Sequence, residues 1–205
     1  AGAVSPAAAA LFCAFAAAPF FLAAAQLNRL CLYLSPVALA VVLGYSYAKR
    51  FTVAAHLVLG LSLAIAPVGA WVAVTGAFAL PPVLLGLAVV FWVAGFDVMY
   101  SLQDEEFDRR EGLRSIPARF GAPRALQVAR LFHGATLVLF YAVFLAVDGG
   151  WLFGAAVVVA GVFLVRQHRL VSPTDLTRVD AAFFTANGWL SVAFLLLGAA
   201  DVLLR

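Results

Sequence analysis

The chain is built from apolar blocks that are each about as long as a bilayer is thick. A helix of about 20 residues crosses the hydrocarbon core of a membrane, and a helix satisfies all of its own backbone hydrogen bonds in lipid. The predicted fold is therefore all-α, a polytopic transmembrane helix bundle. Its seven predicted spans are residues 7–27, 30–48, 53–74, 80–99, 125–147, 151–165 and 179–204.

The composition excludes an ordinary soluble domain. Apolar residues make up 65% of the chain and charged residues only 11%, against about a quarter charged in soluble proteins. The basic residues neither form a patch on a soluble domain nor alternate with stacking aromatic residues, so we expect no nucleic-acid partner. The expected surroundings are a lipid bilayer.

The basic residues fall on one side of the predicted bundle. Seven spans place successive loops on alternate sides, and one side then holds eleven of the thirteen Lys and Arg residues. The other side holds only Arg29 and Arg205. Basic loops stay in the cytoplasm. The sequence thus predicts a multi-pass protein of the cell (inner) membrane whose site faces the cytoplasm.

The acidic residues are concentrated in one loop on that basic side. Residues 96–121 hold six of the ten Asp and Glu residues, and none precedes Asp97. On one continuous α-helix, Asp97, Asp104 and Asp108 would lie within about 40° of one another, with Tyr100 at the edge of that face. Three carboxylates on one face repel, so a cation is expected beside them.

Magnesium is the cation that this arrangement favours. Mg²⁺ commonly takes one or two carboxylates and fills its shell with water and substrate phosphates, which suits Asp104 and Asp108 at a spacing of four. The alternative is a solvated, salt-bridged loop with no ligand. Asp97 disfavours that alternative because it lies inside an apolar run, where a carboxylate is costly unless it is functional.

Three motifs carry a resemblance to a known family. The first has Asp97, Tyr100, two aspartates four residues apart, then Gly-Leu-Arg-Ser and Phe-Gly: "DVMYSLQDEEFDRREGLRSIPARFG". The others are "YSYAKRFT", with Ser46 where the family usually has proline, and "AFFTANG", which contains Asn187. In these motifs the chain resembles the UbiA superfamily of intramembrane aromatic prenyltransferases, and most of all its 4-hydroxybenzoate polyprenyltransferase branch.

The resemblance implies an enzyme that moves a polyprenyl group from polyprenyl diphosphate to an aromatic acceptor such as 4-hydroxybenzoate, in ubiquinone or menaquinone biosynthesis. Mg²⁺ is the implied cofactor, with Asp104 and Asp108 as its ligands. These two residues, Asp97 and Tyr100 form the implied catalytic set. The implied substrate-binding residues are Lys49, Arg50, Arg114 and Asn187.

Two of these substrate contacts are more specific. Arg114 is expected to contact the diphosphate, and Arg50 to pair with the carboxylate of the acceptor, which suits a planar guanidinium. Lys49 and Arg50 also have a simpler explanation, because basic residues collect at cytoplasmic helix ends. Asn187 could likewise serve only as a hydrogen bond between helices. His56, His133 and His168 show no ligand spacing, and we expect no ligand or catalytic role for them.

One departure from the family pattern bears on activity. The family has an earlier motif, Asn-x-x-x-Asp-x-x-x-Asp, whereas this chain has no acidic residue before Asp97. The resemblance implies a single transmembrane prenyltransferase domain over residues 1–205 that lacks the first two of nine helices, and we expect the chain alone to be inactive. The competing hypotheses are an inactive fragment and a transporter or channel with Asp97 on an ion path.

Overall fold

The computed structural model describes residues 4–205, which form nine α-helices. Two short helical turns interrupt them, a 3₁₀ turn over Ser101–Asp104 and a π-helical turn over Ala181–Thr185. The α-helices are α1 (Pro6–Leu27), α2 (Arg29–Phe51), α3 (Ala55–Thr75), α4 (Leu80–Tyr100), α5 (Glu105–Arg110), α6 (Ile116–Phe120), α7 (Ala122–Ala146), α8 (Trp151–Leu170) and α9 (Ala186–Leu204).

The predicted spans are confirmed. Within residues 4–205, seven helical segments are long and apolar enough to cross a membrane. One boundary differs clearly, because α8 runs on to Leu170 whereas its apolar block ends at Val165. Its last turn carries the exposed Arg169, whose charged end reaches water while the backbone stays helical. An apolar block marks the part of a helix in lipid and misses such a polar last turn.

The acidic stretch is not one regular helix, so the assumption of a continuous α-helix from Asp97 to Asp108 is wrong. α4 ends at Tyr100, and the 3₁₀ turn over Ser101–Asp104 separates it from α5. A 3₁₀ turn has three residues per turn rather than 3.6, which rotates all later side chains out of the α-helical register. The three carboxylates consequently lie in three different environments.

α4 is the central helix of the bundle and packs along both α3 and α7. Its small residues Ala88 and Ala94 are fully buried in these contacts. Gly60 of α3 lies directly against the backbone of Val90, where a Cβ atom would overlap the Val90 carbonyl. Small residues of this kind let helix backbones approach closely in a membrane bundle.

The connections gather at two ends, as the alternation of spans predicts. At one end the Arg114 backbone N–H donates to the Lys49 carbonyl at 2.6 Å, and Gln103 Nε2 donates to Asp180 Oδ1 at 3.5 Å. We call this the basic end, made of residues 49–54, 101–124 and 166–180. At the opposite end the Asn28 side chain donates to the Val72 carbonyl at 2.8 Å.

The contact between α3 and α4 predicts that Gly60→Ala lowers stability by about 1–3 kcal/mol, because the added methyl group forces two backbones apart. Thermal unfolding in detergent measures the loss. Gly69→Ala in the same helix is the matched control, since a Cβ there meets open space. Equal effects at the two positions would contradict the close approach at Gly60.

Candidate functional site

Asp97 and His56 form a hydrogen-bonded pair beneath the basic end. His56 Nδ1 lies 2.6 Å from Asp97 Oδ2 and joins the start of α3 to the last turn of α4. The His56 side chain is fully buried, whereas the Asp97 side chain is 20% exposed. The carboxylate inside the apolar run is therefore paired, as such a group must be near a membrane.

The hydrogen bond at the second ring nitrogen of His56 determines which nitrogen carries the ring hydrogen. The Ile116 backbone N–H donates to His56 Nε2 at 3.3 Å, so Nε2 is the unprotonated nitrogen. The ring hydrogen is then on Nδ1 and is donated to Asp97. The pair consists of a neutral imidazole and a carboxylate, and the second oxygen of that carboxylate is not used by His56.

Asp108 and Lys49 form the second pair. Lys49 Nζ donates to Asp108 Oδ2 at 3.0 Å, with the Asp108 side chain 2% exposed and that of Lys49 32% exposed. Lys49 also binds the same loop through its backbone, by its carbonyl contact with Arg114 N. The end of α2 thus holds the loop that carries the acidic residues.

The other acidic residues of the cluster are directed to water. Asp104 and Glu106 are exposed, and Glu105 accepts a hydrogen bond from Arg109 Nη2 at 2.8 Å. Asp104 and Glu106 are two positions apart, and both are exposed. Comparing a variant of Asp104 with one of Glu106 therefore separates the effect of a specific carboxylate from the effect of negative charge in general.

The carboxylates suit Mg²⁺ as a partial ligand set. Within residues 4–205, no group of three or more His, Cys, Asp and Glu side chains is placed to hold a metal ion by itself. Mg²⁺ does not require such a group, because it takes one or two carboxylates together with water and substrate phosphates. Asp104 is open to water, and Asp108 has one oxygen that Lys49 does not contact.

Tyr100 belongs to an aromatic cluster between α4 and the π-helical turn. Its ring centroid lies 4.3 Å from that of Phe183, which in turn lies 5.1 Å from Phe96. Trp92 continues the row along α4, with its ring 5.8 Å from Phe96. Residues 92, 96 and 100 recur every four positions, so the rings line one face of α4.

Asn187 joins α9 to α4 and α8. Its Oδ1 accepts hydrogen bonds from Trp92 Nε1 at 3.1 Å and from Gln167 Nε2 at 3.4 Å. Its Nδ2 donates to the Phe183 carbonyl at 2.7 Å. Both ends of the amide are therefore engaged within the protein, in agreement with the alternative of a hydrogen bond between helices.

The two remaining predicted binding residues lie at the surface of the basic end. Arg50 is exposed, with its guanidinium carbon 5.6 Å from the ring centroid of Tyr47. Arg114 Nη1 donates to the Phe51 carbonyl at 2.9 Å. The structure thus brings Lys49 to Asp108 and leaves Arg50 and Arg114 on the surface around them.

An apolar cavity lies farther along the bundle. It has a volume of about 570 Å³ and is lined by side chains of α1 to α4, including Phe20, Leu61 and Val90. Val90 precedes Asp97 by seven residues on α4, a rise of about 10 Å. The cavity therefore lies on the far side of Asp97 from the acidic loop.

No motif in the sequence identifies His56 as the partner of Asp97. It lies 41 positions from Asp97, and no motif spacing links the two residues. The other two histidines pair with each other, with His133 Nδ1 2.8 Å from His168 Nε2. The one available indication was that an unpaired Asp97 at membrane depth requires a partner from another helix.

The comparisons with known proteins agree with the motifs. The model of the UbiA prenyltransferase family matches residues 1–196. A solved apo structure of a UbiA homolog from Aeropyrum pernix K1 superposes with a TM-score of 0.83 and 34% sequence identity. That match covers 99% of this chain and 74% of the homolog.

Two curated relatives of the chain are named as prenyltransferases. A 4-hydroxybenzoate octaprenyltransferase of Francisella tularensis is 26% identical over 185 residues, which is 90% of this chain and 63% of the relative. A 4-hydroxybenzoate solanesyltransferase of Synechocystis is 31% identical over 176 residues, 84% of this chain and 60% of the relative. The chain thus spans about three-fifths of the length of these relatives.

The buried ion pair predicts a clear effect on stability. Lys49→Met leaves Asp108 without its cation and lowers stability by about 2–3 kcal/mol, below the loss for a fully buried pair because Lys49 is in part solvated. Thermal unfolding in detergent measures it. Arg109→Gln, which breaks the exposed pair with Glu105, costs about 0.5 kcal/mol or less.

The double variant Lys49→Met, Asp108→Asn separates charge from packing. It recovers much of the loss, since neither charge is then left uncompensated. A double variant as unstable as Lys49→Met would contradict the ion pair as the cause.

Proposed function

We propose, from the premise that the chain belongs to the UbiA prenyltransferase family, that it forms the greater part of a prenyltransferase active at the basic end. The enzyme transfers a polyprenyl group from polyprenyl diphosphate to an aromatic acceptor such as 4-hydroxybenzoate. The observation that carries the proposal is the paired carboxylate of Asp97, which lies between the acidic loop and the apolar cavity. Such a position suits a substrate with an anionic head and an apolar tail.

The acidic loop is the proposed site of the diphosphate. Asp104 and Asp108 are the residues that would hold Mg²⁺, whose charge, when it is bound, neutralises the diphosphate leaving group. Lys49 keeps Asp108 in place and presents a half-buried ammonium to the same region. We assign the remaining diphosphate contact to Arg114 and the carboxylate of the acceptor to Arg50, whose guanidinium is exposed beside Tyr47.

The proposed reaction breaks one bond of the prenyl diphosphate and forms one carbon–carbon bond. The bond between the allylic carbon and the diphosphate oxygen breaks, and the diphosphate leaves with the electron pair. The ring of the acceptor forms the new carbon–carbon bond with the allylic cation and then loses a proton. Asp97, whose second oxygen is not used by His56, steadies the positive charge or accepts that proton.

The apolar side of the site is built for the isoprenoid. Tyr100 and its neighbours Phe96 and Phe183 present an aromatic surface next to the proposed cation. The cavity between α1 and α4 is the proposed place of the tail. Asn187 acts on the substrate through this surface, since it holds Trp92 and the carbonyl of Phe183.

The proposal includes the cellular location and the pathway of the enzyme. The chain is a multi-pass membrane protein, and the concentration of Lys and Arg at the basic end supports a cytoplasmic site in the cell (inner) membrane. Quinone biosynthesis, of ubiquinone or menaquinone, is the proposed pathway. A second acidic motif on two preceding helices would supply the oxygens that Asp104 and Asp108 do not.

The direct test is product formation by a chain extended at its N-terminus by about 70 residues, the length of two spans and their loops. With Mg²⁺, polyprenyl diphosphate and 4-hydroxybenzoate, mass spectrometry should detect the prenylated acid and an equal amount of released diphosphate. The 205-residue chain should form neither. Product from the shorter chain would contradict the need for a second motif, and no product from either would contradict the proposed reaction.

Asp104 should be required for turnover in the active, extended protein. Asp104→Asn lowers kcat by about 100-fold or more, the scale of one strong electrostatic contact to a leaving group. Glu106→Gln, at another exposed carboxylate of the loop, lowers it by less than about threefold. Steady-state kinetics at saturating Mg²⁺ measure both variants. Equal losses would show that only the general negative charge of the loop matters.

His56 should act through Asp97 as a positioning residue. His56→Leu removes the hydrogen bond and lowers kcat by about 10- to 100-fold with little change in KM, because the carboxylate is then misplaced. His56→Asn keeps an N–H at the position of Nδ1 and restores most of kcat. His168→Leu, at a histidine outside the site, is the control. Failure of Asn to exceed Leu would reduce His56 to a packing role.

A further inference from the structure

The last membrane-spanning segment starts with the π-helical turn over Ala181–Thr185. At the end of this turn the Ala186 N–H donates to the Ala181 carbonyl, five residues back. In a regular α-helix the same N–H would bond the Ala182 carbonyl, four residues back. Turns of this kind are rare, and they frequently lie at functional sites. The extra residue changes the direction of the side chains in the turn relative to the helix that follows.

Two side-chain amides bind the carbonyl groups of this turn. Gln167 Nε2, on α8, donates to the Ala182 carbonyl at 2.7 Å, and Asn187 Nδ2 donates to the Phe183 carbonyl at 2.7 Å. Gln167 Nε2 also lies 3.4 Å from Asn187 Oδ1, so the two amides contact each other. The Ala182 and Phe183 carbonyls belong to the two peptide groups on either side of the Phe183 Cα atom. Each of these peptide groups is therefore held by one amide.

Gln167 is buried at a cost in stability. Its side chain is 1% exposed, and within residues 4–205 its Oε1 has no hydrogen-bond partner. A buried acceptor without a donor is destabilising. An apolar side chain of similar length, such as methionine, would fill the same space without this cost. The contacts of Nε2 with the π-helical turn are thus what a glutamine adds at this position.

The turn places Phe183 against α4. Its ring lies 4.3 Å from the ring of Tyr100 and 5.1 Å from that of Phe96, measured between centroids. We call Phe96, Tyr100 and Phe183 the aromatic wall. Phe96 and Tyr100 are fixed by the regular backbone of α4, whereas the position of Phe183 depends on the irregular turn and on the amides that bind it.

We propose that Gln167 is a positioning residue for prenyl transfer, which holds Phe183 in the aromatic wall through the peptide group that precedes it. The effect on rate rests on the proposed function, in which the wall lies next to the allylic cation. A cation is attracted to the face of an aromatic ring only at short range. Gln167 thereby stabilises the reacting group without touching it.

The kinetic test uses the extended protein with Mg²⁺, polyprenyl diphosphate and 4-hydroxybenzoate. Gln167→Met removes the Nε2 donor and keeps the length of the side chain. It should lower kcat about tenfold, the scale of one cation–π contact. KM for either substrate should change by less than about twofold, because the contact is made with the cation and not with the bound substrate.

Thr136→Val is the matched control. Thr136 is fully buried, and its hydroxyl lies 3.5 Å from the Ala88 carbonyl of α4, so it also makes a polar contact between helices. It does not belong to the aromatic wall. We expect its kcat to change by less than about twofold. An equal fall in kcat for both variants would reduce Gln167 to a general packing role and overturn the proposal.

A double-mutant cycle tests whether Gln167 acts through Phe183. Phe183→Leu removes the ring and should itself lower kcat. In that variant Gln167→Met should lower kcat further by less than about twofold, since the ring that it positions is gone. If the double variant instead shows the full product of the two separate losses, Gln167 does not act through Phe183 and the proposal is wrong.

A spectroscopic readout on the 205-residue protein needs no turnover. Trp92 Nε1 donates to Asn187 Oδ1 at 3.1 Å, so Trp92 fluorescence reports the position of the Asn187 amide. The other tryptophans are replaced by phenylalanine: Trp71, Trp151 and Trp189. Gln167→Met should shift the Trp92 emission, and Thr136→Val should leave it unchanged.

The two readouts separate failure of this proposal from failure of the proposed reaction. Unchanged Trp92 emission in Gln167→Met would contradict the positioning role, whatever the turnover. Absence of product from the extended wild-type protein would contradict the proposed reaction, and a Trp92 shift would then still support the role of Gln167 in holding the turn. A Trp92 shift with unchanged kcat in an active enzyme would overturn the effect on the reaction.

Discussion

The buried imidazole of His56 holds the basic end together. Its Nδ1–H is donated to Asp97 on α4, and its Nε2 accepts the N–H of Ile116 at the start of α6. A neutral histidine has one donor and one acceptor, so both are used and both directions are fixed. Lys49 likewise makes two contacts nearby: its ammonium donates to Asp108, and its carbonyl accepts the N–H of Arg114. The α2–α3 corner thereby positions the whole acidic loop.

The cost of burying charge explains why the polar groups lie where they do. An ionised side chain near the apolar core must be paired or must reach water. Asp97 and Asp108 are paired, and Asp104 reaches water. At the opposite end Asp201, 2% exposed, accepts the Gly150 N–H at 3.0 Å and pairs with Arg205 at 2.9 Å. Pairing at the opposite end anchors helices, whereas at the basic end His56 and Lys49 each contact only one oxygen of their carboxylate partner.

The sequence predicted the parts of this structure that depend on local pattern. Apolar block length located the spans, because bilayer thickness imposes it. Local pattern did not reveal the 3₁₀ turn after Tyr100, since regular helical spacing was assumed through Asp108. The pairing of His56 with Asp97 and of Lys49 with Asp108 joins residues 41 and 59 positions apart, and only the packing of α2 on α3 and of α3 on α4 brings them together. The acidic residues were thus identifiable, whereas their partners were not.

The central proposal is that Asp104 and Asp108 at the basic end form one half of a metal and diphosphate site. The most direct measurement is an anomalous-scattering crystal structure of the extended protein with Mn²⁺ in place of Mg²⁺ and a non-reactive polyprenyl thiodiphosphate. We expect the metal peak about 2.1 Å from oxygens of Asp104 and Asp108, with Lys49 still on Asp108 and the tail directed past Asp97 into the apolar cavity. A metal and diphosphate bound away from both aspartates, with the cavity between α1 and α4 empty, would contradict the account.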